Sequence, residues 1–145
     1  MDIDVESINK HLELLRSYIS DLFEIRKGLT LEEFKNVRAK QYEVLHPLLL
    51  AIQSCMDIGN YIIAELSLRR PETGKDIFVI LSENDIIPKQ FEKTMVEMAK
   101  FRHRLVHLYW KVELDTVYEI LQKNLNEFNK FADYIRHFIE SNKSE

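Results

Sequence analysis

Arg102, His103, Arg104, His107 and Tyr109 lie within eight residues of one another, inside an otherwise apolar stretch, Met98-Ala99-Lys100-Phe101-Arg102-His103-Arg104-Leu105-Val106-His107-Leu108-Tyr109-Trp110. Arginine brings a permanent charge and a two-pronged donor geometry that suits phosphoryl oxygens. Histidine moves protons near neutrality. Metal-free cleavage of an RNA phosphodiester needs both abilities. The 2′-hydroxyl must lose its proton, the phosphorane charge must be neutralised, and the departing 5′-oxygen must be protonated. Arg102 suits the phosphorane and His107 the proton transfers.

The spacing also carries geometry. Arg102 shares a helical stripe with Phe91, Met95, Met98, Leu105 and Tyr109, in steps of four and three. A guanidinium on a core-facing stripe costs several kcal/mol unless it is paired or lines a wet cleft. On an ideal helix Tyr109 sits about 20° from Arg102, and His107 about 140° from it. Arginine and histidine therefore do not converge within one straight helix. Either the helix loosens near His107, or two copies of the chain meet across a two-fold axis to build one cleft; the second is favoured. The plainer alternative pairs Arg102 with an acid such as Glu97 and leaves His107 in a core niche. Spacing alone favours that alternative.

Other chemistries find little support. His103 and His107 share a helix face at a zinc-compatible spacing, but no Cys or His nearby completes a ligand set, so no metal site is expected. No Gly-rich phosphate loop exists, and no Ser or Cys has an evident base partner. No cofactor is expected. The net charge of −4, from 20 basic and 24 acidic residues, argues against a protein that coats nucleic acid. It leaves room for a local positive cleft, which Lys93, Lys100, Arg102, His103, Arg104, His107 and Lys111 supply within 19 residues. The single Cys55 excludes an intrachain disulfide and reads as a small buried side chain. The acidic start is not a signal peptide, and charges interrupt each apolar run before it spans a bilayer. A cytoplasmic protein is expected.

With 145 residues, three glycines and three prolines, the chain reads as one domain, residues 1–145, of a few long helices. Val5, Ile8, Leu12, Leu15, Ile19 and Leu22 predict a first helix over residues 4–26, stopped by Gly28. Thr30 and Glu33 predict a capping box for a second helix from Leu31 to about Ser67, kinked near Val44–Pro47. His46 reads as an exposed or capping group. From Leu48 to Leu66 the pattern is apolar nearly all round, as for a central or interfacial helix, with Gly59 and Ala64 allowing close approach. Arg69–Gly74 reads as a loop with solvated charges, residues 76–82 as a short helix closed by Asn84-Asp85, and Pro88 as the start of the helix carrying Arg102. Asp115 is a candidate N-cap for a last helix striped by Val117, Leu121, Leu125, Phe128, Ala132, Ile135 and Ile139.

Arg102-(four residues)-His107-Leu108-Tyr109 resembles the R-x4-H-x-Y motif of the HepT toxins, members of the HEPN superfamily. Ala51–Glu65 resembles that family's second helix, and Leu68-Arg69-Arg70-Pro71 and Ile86-Ile87-Pro88 resemble its connecting loops, so the likeness spans about residues 45–122. His103 follows the arginine where asparagine is frequent in the family. The resemblance implies an all-α, up-and-down bundle of about five helices that forms a symmetric dimer. It further implies a metal-independent endoribonuclease, the toxin of a type VII toxin–antitoxin pair, cutting RNA but not DNA and leaving a 2′,3′-cyclic phosphate. Arg102 and His107 become catalytic, with Lys100, His103 and Arg104 binding substrate. Tyr109 becomes the residue adenylylated by a minimal nucleotidyltransferase antitoxin of the MntA type, AMP there competing with the RNA phosphate at Arg102. Two other readings remain beside it: a non-catalytic helical module that binds a nucleotidyltransferase or nucleotide, and a nucleic-acid-binding protein that does not cut.

Overall fold

A computed structural model describes residues 4–107 and 112–142. Among these the chain forms seven helices: α1 (Val5–Arg26), α2 (Leu31–Asn36), α3 (Arg38–Glu65), α4 (Gly74–Glu83), α5 (Lys89–His107), α6 (Leu114–Lys123) and α7 (Leu125–Asn142). The expected count of about five becomes seven because two long helices are each divided. Tyr109 lies outside the described residues.

The first division separates α2 from α3 at Val37, not at Pro47. Val37 is extended (φ −113°, ψ 106°). A side chain satisfies two of the carbonyls that this break orphans: Gln41 Nε2 donates to the Phe34 and Lys35 carbonyls at 3.1 and 3.2 Å. α3 runs unbroken through Pro47, whose ring is buried with Val44, Leu45 and Leu48. Packing there outweighs the single backbone hydrogen bond that proline removes. The second division falls at Asn124, between α6 and α7. Glu113, not Asp115, is the N-cap of α6; Asp115 sits in its first turn.

α3 is the central helix, packed against α1, α2, α4, α5 and α7. It contains an 18-residue window apolar enough to cross a membrane by length and composition, which the sequence reading had not expected. Of that window 56% is buried inside the fold, as in a core helix. Gly59 lets α4 press close, since a Cβ there would collide with the Ile77 side chain. Ala64 is exposed.

The remaining elements are tied down by local devices. Asp4 caps α1 through the Ser7 N–H, and Thr30 Oγ1 caps α2 through the Glu33 N–H at 3.1 Å. Gly28 takes φ 74° just beyond α1. Fully buried Phe34 fixes α2 beside Tyr118 of α6, whose hydroxyl donates to the Leu29 carbonyl at 2.6 Å. Arg26 Nη1 donates to the Gln122 carbonyl at 3.2 Å, joining the ends of α1 and α6.

Candidate functional site

α5 and α4 pack against one another and both touch α3. Phe91, Met95, Met98, Phe101 and Leu105 bury one face of α5. His103, Arg104, Val106 and His107 are exposed, and Arg102 is half-buried at the boundary. The stripe put Arg102 on the core-facing side; it stands at the boundary, while Met98 and Leu105 on the same stripe are buried.

α4 is held by its own ends and by the preceding turn. α3 closes with Ser67 in the left-handed region (φ 53°) and the Leu68 N–H on the Ile63 carbonyl at 2.9 Å. The Asp76 carboxylate accepts the Glu72 and Thr73 N–H groups at 3.0 and 3.2 Å. The Glu72 N–H chiefly, with that of Thr73, holds the Asp76 carboxyl below its ordinary range despite some desolvation. At the other end Arg69 grips Glu83 with two bonds of 2.8 and 3.0 Å, which likewise lowers the Glu83 carboxyl. Arg69 is therefore a strut of the fold. Arg70 is exposed on a different cavity, beside Asn60 and Ser67.

Between the start of α4 and the middle of α5 lies a cavity of about 410 Å³. α5 contributes Ala99, Lys100, Arg102, His103 and Arg104; the start of α4 contributes Thr73, Gly74 and Lys75; Met56 of α3 completes the lining. Gly74 leaves room for the Met56 methyl group, 2.6 Å from where a Cβ would stand. Five of the nine lining residues carry cationic or imidazole side chains and none is a carboxylate, in a chain of net charge −4. Glu97 pairs with Lys100 at 3.5 Å, not with Arg102. The Nε of Arg102 is shielded from solvent and has no hydrogen-bond partner among the described residues. A buried donor left unmatched costs about 1–3 kcal/mol.

The structure brings Lys100, Arg102, His103 and Arg104 to this cavity, all four anticipated from the sequence. His107 does not line it. Its ring lies against His103, with centroids 4.3 Å apart and planes inclined by 45°. The α4 wall, with Lys75, was not anticipated. The pattern Thr73-Gly74-Lys75-Asp76, an N-cap followed three residues later by an acid, marks a helix start at that point and was the available signal. Among the described residues no group of three or more His, Cys, Asp or Glu side chains converges.

Fold and site together define an all-helical protein with a cationic cleft beside two imidazoles in contact. The chain belongs to the HepT-like ribonuclease family, which it matches over residues 8–135, and its enzyme class is endoribonuclease. It is 30% identical over 104 residues to the mRNA nuclease HepT of Shewanella oneidensis, covering 72% of this chain and 78% of that one. It is 22% identical over 138 residues to the tRNA nuclease HepT of Aphanizomenon flos-aquae, covering 95% and 93%. Its fold superposes with a TM-score of 0.83 on the tri-AMPylated Shewanella oneidensis HEPN toxin solved in complex with its MNT antitoxin, at 26% identity over 94% of this chain and 99% of that one. The family resemblance read from the sequence is thereby confirmed.

Proposed function

We propose that this chain is the toxin of a toxin–antitoxin pair, a metal-independent endoribonuclease that acts in the cytoplasm as a single-domain protein. The observation that carries this reading is the carboxylate-free, cationic cavity that Arg102 lines next to the His103–His107 pair. In this reading Arg102 neutralises the phosphorane. His107 takes the 2′-hydroxyl proton as that oxygen bonds to phosphorus, and the P–O5′ bond breaks to leave a 2′,3′-cyclic phosphate. The 5′-oxygen leaves with a proton delivered by the His107 imidazolium, which restores the neutral ring. His103 steadies the His107 ring, while Lys100 and Arg104 bind flanking phosphates. DNA lacks the attacking hydroxyl and is not cut. Because His107 stands outside the cavity that Arg102 lines, the complete cleft forms between two copies of the chain.

The partner of the relative solved with its MNT antitoxin supports a nucleotidyltransferase as the partner here. In this reading it transfers AMP to Tyr109, seven residues from Arg102 in the sequence, and the added phosphate competes for the arginine. Purified protein in EDTA should cleave RNA, and Arg102→Ala and His107→Ala should each lower the rate by at least about 10²-fold with the helical circular dichroism unchanged. Treatment with ATP, magnesium and the partner should add mass in units of AMP at Tyr109 and silence cleavage; Tyr109→Phe should escape both. A requirement for added metal, or activity that survives both substitutions, would overturn the mechanism. An inactive wild type would favour the interaction module.

A further inference from the structure

We propose that Lys75, on the α4 wall of the cavity, is a substrate-positioning residue that takes an RNA phosphate adjacent to the one cleaved at Arg102. The proposal rests on the ribonuclease reading above and adds a binding residue from a second helix. Lys75 is exposed and lines the same cavity as Arg102, His103 and Arg104, on the opposite wall. No ion pair among the described residues engages it, whereas Lys100 is already tied to Glu97. Its sequence neighbour Asp76 does not neutralise it by contact, since that carboxylate is turned onto the Glu72 and Thr73 N–H groups.

A cavity walled by cations on two helices, with no acid in its lining, fits an anion longer than a single phosphate. Consecutive phosphates along an RNA strand meet that description, and each one neutralised releases counterions. Arg102 sits deep enough to shield its Nε, while Lys75 and Arg104 are exposed at the rim. The phosphate at Arg102 is therefore the one held most closely, and Lys75 meets a neighbour of it. Lysine suits that duty as a compact charge on a flexible stem that asks for no fixed approach geometry.

The test compares wild type, Lys75→Gln and Lys75→Arg on an RNA oligonucleotide and on a dinucleoside monophosphate that has only the scissile phosphate. Lys75→Gln should raise KM for the oligonucleotide about tenfold with kcat kept within about twofold, and should flatten the salt dependence of binding by about 0.7 of a logarithmic unit per decade of salt. Lys75→Arg should restore both. Cleavage of the dinucleoside monophosphate should not change, which a mere disturbance of α4 would not spare. Unchanged KM and salt slope in a cleaving enzyme would overturn the Lys75 proposal and leave the ribonuclease reading standing. Should the wild type not cleave at all, binding of a 2′-O-methyl RNA oligonucleotide decides. Weaker binding by Lys75→Gln upholds the phosphate contact in a protein that binds without cutting, and equal binding rejects it.

Discussion

Arg102 is held in a position that serves a ligand better than it serves the fold. Its neighbours along the helix, Met98 and Leu105, are buried, its Nε is shielded, and no group among the described residues accepts from it. The desolvation cost of an unmatched donor is about 1–3 kcal/mol, far more than a loose surface ion pair returns. Replacing it with an apolar side chain of similar length should therefore relieve the fold. Arg102→Met is expected to raise unfolding stability in urea by about 1 kcal/mol while abolishing cleavage. A loss of stability would mean that the guanidinium already has a partner in the free protein.

The elements show why this residue can be served from two sides. α4 reaches α5 only because α3 offers Gly59 as a seat, and Ile77, 3% exposed, rests on it. An added methyl would overlap Ile77 and stand 3.3 Å from Leu81 Cδ1. Helix propensity favours alanine over glycine by about 1 kcal/mol, whereas overpacking a closed contact costs about 1–3 kcal/mol. Ile77 is too enclosed to swing away, so overpacking wins. Gly59→Ala should lower stability by about 1 kcal/mol on balance, read from the urea midpoint at constant slope. Neutrality or a gain would show that α4 slides freely on α3, and the placement of Lys75 would be less fixed than argued.

At the scale of the whole molecule, the apolar excess of α3 is spent inside the chain. Leu48, Ile52, Cys55, Ile58 and Ile62 are all fully buried, and burial pushes the Cys55 thiol well above its ordinary range. The face over residues 48–66 that had suggested an interface is therefore largely covered by α1 and α4. What still argues for a second copy is the division of the site, with Arg102 inside the cavity, His107 outside it and Val106 beside them 46% exposed. Static light scattering at micromolar concentration should report twice the 17.3 kDa chain mass. A fully active monomer would require Arg102 and His107 to act within one chain, and would sink the shared cleft.

Helical periodicity is a property of consecutive residues, and what depended on it was legible from the chain alone. The stripes Ile8–Leu22 on α1 and Val117–Ile139 on α6 and α7 are buried as their spacing required, and Gly28 ends the first helix in the left-handed region. The same local arithmetic put Arg102 on the core-facing stripe and set it about 140° from His107. Two features were decided only in three dimensions. The break at Val37 depends on whether Gln41 can reach back to the carbonyls of α2 and on the burial of Phe34, so a proline ten residues later was a poorer guide. Lys75 stands across a cavity from a residue 27 positions further along the chain (102 − 75), because Gly59 admits α4 and the Ser67 turn reverses the chain ahead of it. No repeat of three or four residues encodes such a contact; it arises when separately amphipathic helices bury their faces against one another.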